Sequence, residues 1–156
     1  ISALKNIENI SPIKSVYFVG DGPDKKKYET EAKSIKNIPI IFTGALPRND
    51  LNLIYLKCQI LILPSDSEGF PKVIPESAAY GCVSIVSDVG SIKQYIKKDN
   101  GILLKKSNTD GVSSALTYLL KNRTMLKKLA NNCHELSRKF TYERYNERIN
   151  NMILNK

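Results

Sequence analysis

Residues 64–81 read PSDSEGFPKVIPESAAYG and directly follow the apolar run Ile60–Leu63. A short apolar run bounded by turn residues is typical of a buried strand in a parallel sheet. In open parallel sheets, ligands bind outside the carboxyl ends of the strands, and the turn Gly69-Phe70-Pro71 falls at such an end. The stretch therefore predicts a strand–turn–helix unit with a binding site at its turn.

The predicted turn combines hydrogen-bond donors with acceptors. The backbone amides of Lys72, Val73 and Ile74 would be unpaired at a helix N-terminus, which is a favourable place for a phosphate. Glu68 and Glu76 flank these amides, and ionised carboxylates accept hydrogen bonds from sugar hydroxyls. A ligand that carries both phosphate and sugar hydroxyls, such as a nucleotide-sugar, fits this combination.

Short β-branched runs alternate with helical patterns along the chain, which predicts an α/β fold with a parallel sheet and helices on both faces. The predicted strands are Ser15–Val19, Pro39–Thr43, Ile60–Leu63, Val83–Ser87 and Ile102–Leu104. The predicted helices are Ile1–Ile10, Asp24–Lys36, Arg48–Lys57, Ile74–Tyr80, Ser91–Ile96 and Asp110–Lys121, followed by two helices from Arg123 onward that meet near Phe140-Thr141, the second being a terminal helix over 141–156.

Size and composition favour one ordinary globular domain over residues 1–156. The chain is 42% hydrophobic and 25% charged, and no run approaches the roughly 20 apolar residues of a membrane span. The three cysteines, Cys58, Cys82 and Cys133, form no C-x-x-C, which argues against a zinc site or a disulfide framework and favours a reducing cytoplasm. Cys82 is expected to be a small buried filler.

The net charge of +9 is concentrated near the end of the sequence, where residues 121–156 contain nine Lys or Arg against three Glu. Such a segment fits a solvated helical face, and it also fits attraction to an anionic membrane. Nucleic acid is not expected as a partner, because no nucleic-acid-binding module or interleaving of aromatic and basic residues is present.

Four stretches in register resemble the C-terminal half of retaining GT-B glycosyltransferases, in particular glycosyltransferase family 4 (glycosyl transferases group 1). They are Val16–Pro23 (VYFVGDGP), Ile41–Leu46 (IFTGAL), Glu68–Glu76 with Gly-Phe after the first glutamate, and Val83–Gly90 (VSIVSDVG) with Asn100-Gly101 after it. The resemblance extends from about Ser15 to Phe140. It implies a Rossmann-like nucleotide-sugar-binding domain, and it implies that the chain is a fragment of a longer two-domain enzyme.

The resemblance also implies roles for individual residues. Glu68 would be the catalytic residue and would hold the hydroxyls of the donor sugar, while Glu76 would hold the ribose hydroxyls. The remaining donor-binding residues would be Gly69 and Phe70, whose amides would face the sugar, Pro71 and Lys72 beside them, and Val73 and Ile74, whose amides would face the diphosphate. Gly20 and Gly22 would border the cleft, and Gly44, Ala45 and Leu46 would lie against the nucleobase.

Simpler interpretations remain open at two of these positions. Gly20-Asp21-Gly22-Pro23 lacks the third glycine of a dinucleotide fingerprint, because Lys25 stands there, and the segment also fits a structural turn. Gly44-Ala45-Leu46 also fits a plain strand-to-helix connection.

Asp66-Ser67-Glu68 is not expected to bind a metal, since no second acidic or histidine cluster is nearby.

The implied reaction is transfer of a hexose, with retention, from a UDP- or GDP-sugar to the hydroxyl of an acceptor saccharide or lipid-linked saccharide, without a metal or other cofactor. The acceptor would be bound by an N-terminal domain outside this chain, so the chain alone would bind donor weakly and transfer nothing. Surface polysaccharide or glycolipid assembly in the cytoplasm is expected, with peripheral contact at the inner membrane surface as an alternative. Two other functions remain open: another GT-B enzyme such as a nucleotide-sugar epimerase, and a non-catalytic α/β module that docks through its basic tail.

Overall fold

Parallel strands joined by helices make up the framework of the chain. The computed structural model describes residues 1–9 and 11–154. The strands, each of which pairs in parallel with its neighbours, are β1 (Val16–Val19), β2 (Ile40–Gly44), β3 (Ile60–Leu63), β4 (Val83–Ser87) and β5 (Gly101–Leu104). All five lie within one or two residues of the predicted ranges.

Helices connect the strands, as parallel neighbours require. They are α1 (Ser2–Lys5), α2 (Lys25–Ala32), α3 (Arg48–Lys57), α4 (Val73–Ala78), α5 (Ile92–Tyr95), α6 (Thr109–Lys121), α7 (Arg123–Arg138) and α8 (Tyr142–Ile149), the last followed by a π-helical segment, Asn150–Leu154. Side-chain caps define two helix starts: Asn108 accepts from the amide of Gly111 at 2.9 Å, and Thr141 accepts from that of Arg144 at 3.3 Å.

Strand β4 lies at the centre of the hydrophobic core. All five of its residues are buried, and because consecutive side chains of a strand point to opposite sides, both faces of β4 are covered. Helices α4, α6 and α7 contact it. The predicted α/β fold with a parallel sheet and helices on both faces is therefore confirmed.

The parallel strands of this fold form two separate hydrogen-bonded ladders. Strands β1 and β2 form one ladder, whereas β3, β4 and β5 form another in that order. A doubly wound sheet has the strand order 3-2-1-4-5-6. When β1 to β5 are matched to strands 2 to 6 of that order, the gap between the two ladders falls at the place of strand 1.

Two helix predictions also need correction. The segment Ile1–Ile10 is helical only over Ser2–Lys5, although Ala3, Leu4 and Ile7 are buried. Ile10 lies outside the described residues. Helix α2 ends at Ala32 rather than Lys36, because the chain turns at residues 33–38 to bury Ile38. The predicted terminal helix becomes π-helical after Ile149, and its last two residues lie outside the described range.

Within the described residues, no helix has the length and apolar character needed to cross a bilayer.

Candidate functional site

The loop that connects β3 to α4, residues 64–72, contains most of the predicted site residues. It leaves the sheet at the carboxyl end of β3, and it ends where α4 begins at Val73, with Glu76 in the first helical turn. The amide of Ile74 donates to the carbonyl of Pro71 at 3.1 Å, so the prediction that this amide is unpaired was wrong. The amides of Lys72 and Val73 have no acceptor among the described residues.

The carboxylate in the loop and the one in the helix have no partner among the residues that the structure describes. Glu68 and Glu76 are half-buried, and neither forms an ion pair or side-chain hydrogen bond with any described residue. The acceptor oxygens of both glutamates are therefore available to a ligand. Glu76 also acts on a neighbouring side chain: burial, and after it the carboxylate of Glu76, raises the pKa of the buried Tyr55 to about 12.

A second loop, which follows β4, holds the β3–α4 loop in place. The carbonyl of Gly69 accepts hydrogen bonds from both the amide and the Oγ of Ser91, each at 3.0 Å. Gly90 has a φ of +54°, and a Cβ at this position would lie 2.0 Å from the carbonyl oxygen of Glu68. Only glycine allows this close approach, which fixes the backbone that carries Glu68.

Sequence reasoning missed this role of Gly90 and Ser91. The stretch Val83–Gly90 entered the prediction only through the family resemblance, and the glycine three residues after the end of a buried strand was the available signal.

Three aromatic rings support the same loop from another side. The ring of Phe70 stacks on that of Phe140, with centroids 4.8 Å apart and planes 10° apart. Tyr95 lies 4.7 Å from Phe70 and 4.9 Å from Phe140, centroid to centroid. The ring of Phe70 thus turns inward as a structural group, and the predicted contact of its backbone amide with the donor sugar stays a prediction.

At the carboxyl ends of β1 and β2, glycines bring the two strands together. The amide of Gly20 donates to the carbonyl of Gly44 at 2.8 Å, and both residues have positive φ angles of 121° and 70°. The amide of Gly22 donates to Oδ1 of Asp21 at 3.0 Å, and the carbonyl of Gly22 accepts from the amide of Lys25, so this segment is a turn that starts α2. Ala45 is exposed and Leu46 is half-buried beyond β2.

The predicted site residues therefore form two groups. One consists of residues 68–76 with Gly90 and Ser91, and the other consists of Gly20, Gly22 and residues 44–46. No hydrogen bond or ion pair joins the two groups in the part of the chain that the structure describes. A cavity of about 290 Å³ lies elsewhere, beside Phe140 and α8, and Glu68 and Glu76 do not line it.

The three cysteines are free thiols, and Cys82 has a structural position. The Sγ of Cys82 is buried and donates to the carbonyl of Cys58 at 3.1 Å, and burial raises the pKa of its thiol to about 12. Its predicted role as a small buried filler is confirmed.

The comparisons with known proteins point to one family. The model of the family described as "Glycosyl transferases group 1" matches residues 1–140. The chain belongs to this family. The match covers both groups of site residues, and it ends at Phe140, the third ring of the aromatic cluster. The resemblance noted from the four sequence stretches is confirmed.

Individual relatives of this group 1 glycosyltransferase chain are distant. It is 25% identical over 155 residues to a sulfoquinovosyl transferase of Arabidopsis thaliana, covering 97% of this chain and 30% of the relative. It is 30% identical over 111 residues to a glycosyltransferase assigned to teichuronic acid biosynthesis in Bacillus subtilis, covering 71% and 27%. The chain thus spans about a third of the length of these relatives.

Solved structures share the fold. A crystal structure of an Anabaena protein in complex with UDP matches with a TM-score of 0.80 at 19% identity, covering 99% of this chain and 43% of that one. The same protein in complex with UDP-glucose matches with a TM-score of 0.76 at 17% identity, covering 91% and 41%. At these identities the likeness shows the Rossmann-like fold of a GT-B C-terminal domain.

Proposed function

We propose that this chain binds the nucleotide-diphosphate sugar donor of a retaining hexosyltransferase. One observation carries the proposal: Glu68, in a loop fixed at the carboxyl edge of a parallel sheet, and Glu76, in the helix that follows, are half-buried carboxylates without partners among the described residues. Burying a carboxylate without a partner is costly. A ligand with several hydroxyl groups would offset that cost by donating hydrogen bonds to both.

Within this proposal the two glutamates have separate roles. Glu68 is the catalytic residue and holds hydroxyls of the donor sugar, whereas Glu76, in the first turn of α4, holds the ribose hydroxyls. The amide of Val73, which lacks an acceptor among the described residues, faces the diphosphate. Catalysis then depends on positioning the sugar and on stabilising the charge of the departing diphosphate.

The nucleobase lies on the other group of residues in this proposal, against Gly44, Ala45 and Leu46. Gly20 and Gly22 border the same part of the cleft. UDP is the favoured nucleotide, because the Anabaena protein that shares the fold binds UDP and UDP-glucose. GDP is the alternative that the titration below distinguishes.

The proposal also includes the acceptor of the sugar and the location of the protein in the cell. A saccharide or lipid-linked saccharide in surface polysaccharide assembly fits the teichuronic acid assignment of the Bacillus relative. A cytoplasmic location fits three cysteines that are all free. The absence of transfer by this chain alone stays a prediction.

Calorimetric titration with UDP and with GDP tests the donor site. We expect saturable binding of one nucleotide, and the Glu76→Ala variant should bind it about 10- to 100-fold more weakly, because charged hydrogen bonds to the ribose are lost. Glu8→Ala removes an exposed carboxylate elsewhere and should bind like the wild type. Equal affinity of all three proteins would refute the assigned role of Glu76, and no binding of either nucleotide by the wild type would count against the donor site itself.

The donor site is proposed to work without a metal ion. The same titration in excess EDTA should give an unchanged affinity, since amides and helix α4 would neutralise the diphosphate. A loss of binding that Mg²⁺ or Mn²⁺ restores would show that a divalent ion is required.

A second candidate function, docking through the C-terminal segment, is favoured by the exposure of its apolar side chains. Tyr142, Tyr145, Met152 and Ile153 are all more than half exposed. Binding to anionic phospholipid vesicles that salt weakens, in a chain that binds neither nucleotide, would favour this function over the donor site.

A further inference from the structure

Phe140 contacts the β3–α4 loop from a position 70 residues further along the chain. It lies two residues after the end of α7, where its amide donates to the carbonyl of Ser137 at 3.0 Å. Its ring stacks on that of Phe70 with centroids 4.8 Å apart and planes 10° apart. The helical C-terminal region is thereby joined to the loop that carries Glu68.

Apart from its contacts with Gly90 and Ser91, the loop is supported by this aromatic packing. Residues 64–72 contain no helix or strand. The carbonyl of Gly69 is bonded to Ser91, which fixes the backbone on one side only. Phe70, the next residue, is half-buried, and its side chain reaches Tyr95 and Phe140.

The arrangement of the three rings restricts the orientation of the Phe70 side chain. The rings of Phe70 and Phe140 are stacked in nearly parallel planes, while Tyr95 meets Phe140 at 61°. Stacked and edge-on pairs are preferred geometries of aromatic rings, so the ring of Phe70 has one favoured position between its neighbours. Because Phe70 lies two residues after Glu68, a fixed ring limits the movement of the carboxylate.

We propose that Phe140 is a positioning residue that sets the β3–α4 loop for donor binding. This inference rests on the proposed function, in which Glu68 and the Gly69 and Phe70 backbone meet the donor sugar. Phe140 acts through Phe70 and itself contacts no donor atom. Nucleotide affinity and the rigidity of the loop should therefore both depend on a ring at position 140.

The test compares Phe140→Leu with Phe140→Tyr, which keeps the ring, and with Leu126→Ala. Leu126 is buried near the opposite end of α7, so its truncation destabilises the same helix without touching the aromatic cluster. Two quantities are measured in each protein: the affinity for UDP or GDP, and the exchange rate of the Ser91 amide proton by NMR. That proton is bonded to the carbonyl of Gly69, so its exchange reports whether the loop is seated.

We expect Phe140→Leu to weaken nucleotide binding about fivefold and to speed Ser91 exchange by a similar factor, as the loss of aromatic pairs implies. Phe140→Tyr should behave like the wild type. Leu126→Ala should lower the melting temperature while leaving affinity unchanged.

Several outcomes would overturn the inference. Unchanged Ser91 exchange in Phe140→Leu would do so, and so would an equal loss of affinity in Leu126→Ala, which would indicate general destabilisation. If the wild type binds neither nucleotide, the proposed function fails, while Ser91 exchange still decides whether Phe140 positions the loop.

Discussion

The two groups of candidate site residues are built in different ways. Around β3 and β4, the loop with Glu68 is held by Ser91, by the close approach of Gly90 and by the rings of Phe70 and Phe140. At the carboxyl ends of β1 and β2, a hydrogen bond between Gly20 and Gly44 adds to the parallel ladder of these strands, whose Val19 and Ile41 are exposed. The carboxylate side is thus assembled before any ligand binds, whereas the side assigned to the nucleobase depends on the conformations of two glycines.

The largest expected effect comes from Gly90→Ala, which disrupts the side that carries Glu68 and Glu76. The new Cβ would lie 2.0 Å from the carbonyl oxygen of Glu68. The alanine would also have to adopt the left-handed backbone conformation of this position, with a φ of +54°. We expect the free energy of unfolding to fall by about 3 kcal/mol and nucleotide binding to be lost. Thermal or urea unfolding measures the first effect. Gly22→Ala, which meets no atom within 4 Å and has an ordinary φ, should change stability by less than about 0.5 kcal/mol.

Gly44→Ala tests the other side and should have a smaller effect. Gly44 also has a positive φ, +70°, but an added Cβ would only touch Nζ of Lys25 at 3.5 Å, an ordinary contact. The cost is then the conformational strain alone, about 1–2 kcal/mol in unfolding free energy. Urea unfolding of Gly44→Ala beside Gly90→Ala measures the difference, and equal losses would contradict the contrast drawn between the two sides.

Ser91→Ala should have the smallest effect of the three. It removes the Oγ donor to the carbonyl of Gly69 and leaves the amide donor in place. We expect a loss of about 0.5–1.5 kcal/mol in stability and a modest decrease in nucleotide affinity. Ser34→Ala removes an exposed hydroxyl that bonds within its own turn and serves as the control. If the two variants lose equal stability, Ser91 has no special part in holding the loop.

The sequence predicted local structure well, because each local element is determined by residues close together. Helix α3 was predicted as Arg48–Lys57 and has those bounds, and the apolar run of β3 was likewise predicted in full. Turn residues before and after each element, such as Pro47 and Pro64, limited where it could extend. The unit formed by β3, the loop with Glu68 and the start of α4 with Glu76 was predicted for the same reason.

What the sequence did not predict involves contacts between distant residues. Gly90 approaches Glu68 across 22 positions, and Phe140 stacks on Phe70 across 70. Periodicity carries no information about such pairs, because it describes only which face of an element is apolar. The bond between the Ile74 amide and Pro71 was missed for a different reason: a proline turn just before a short helix supplied an acceptor that idealised helix ends lack.

The break in the sheet has a consequence for how the chain unfolds. Within the described residues, no backbone hydrogen bond passes from the ladder of β1 and β2 to that of β3, β4 and β5. The smaller ladder can therefore open without breaking a strand bond of the larger one, so the two are expected to behave as separate cooperative units in native-state hydrogen exchange. Amides of β4 should exchange only on global unfolding, and those of β1 should exchange through a lower-energy opening that removes the nucleobase side and leaves the carboxylates in place.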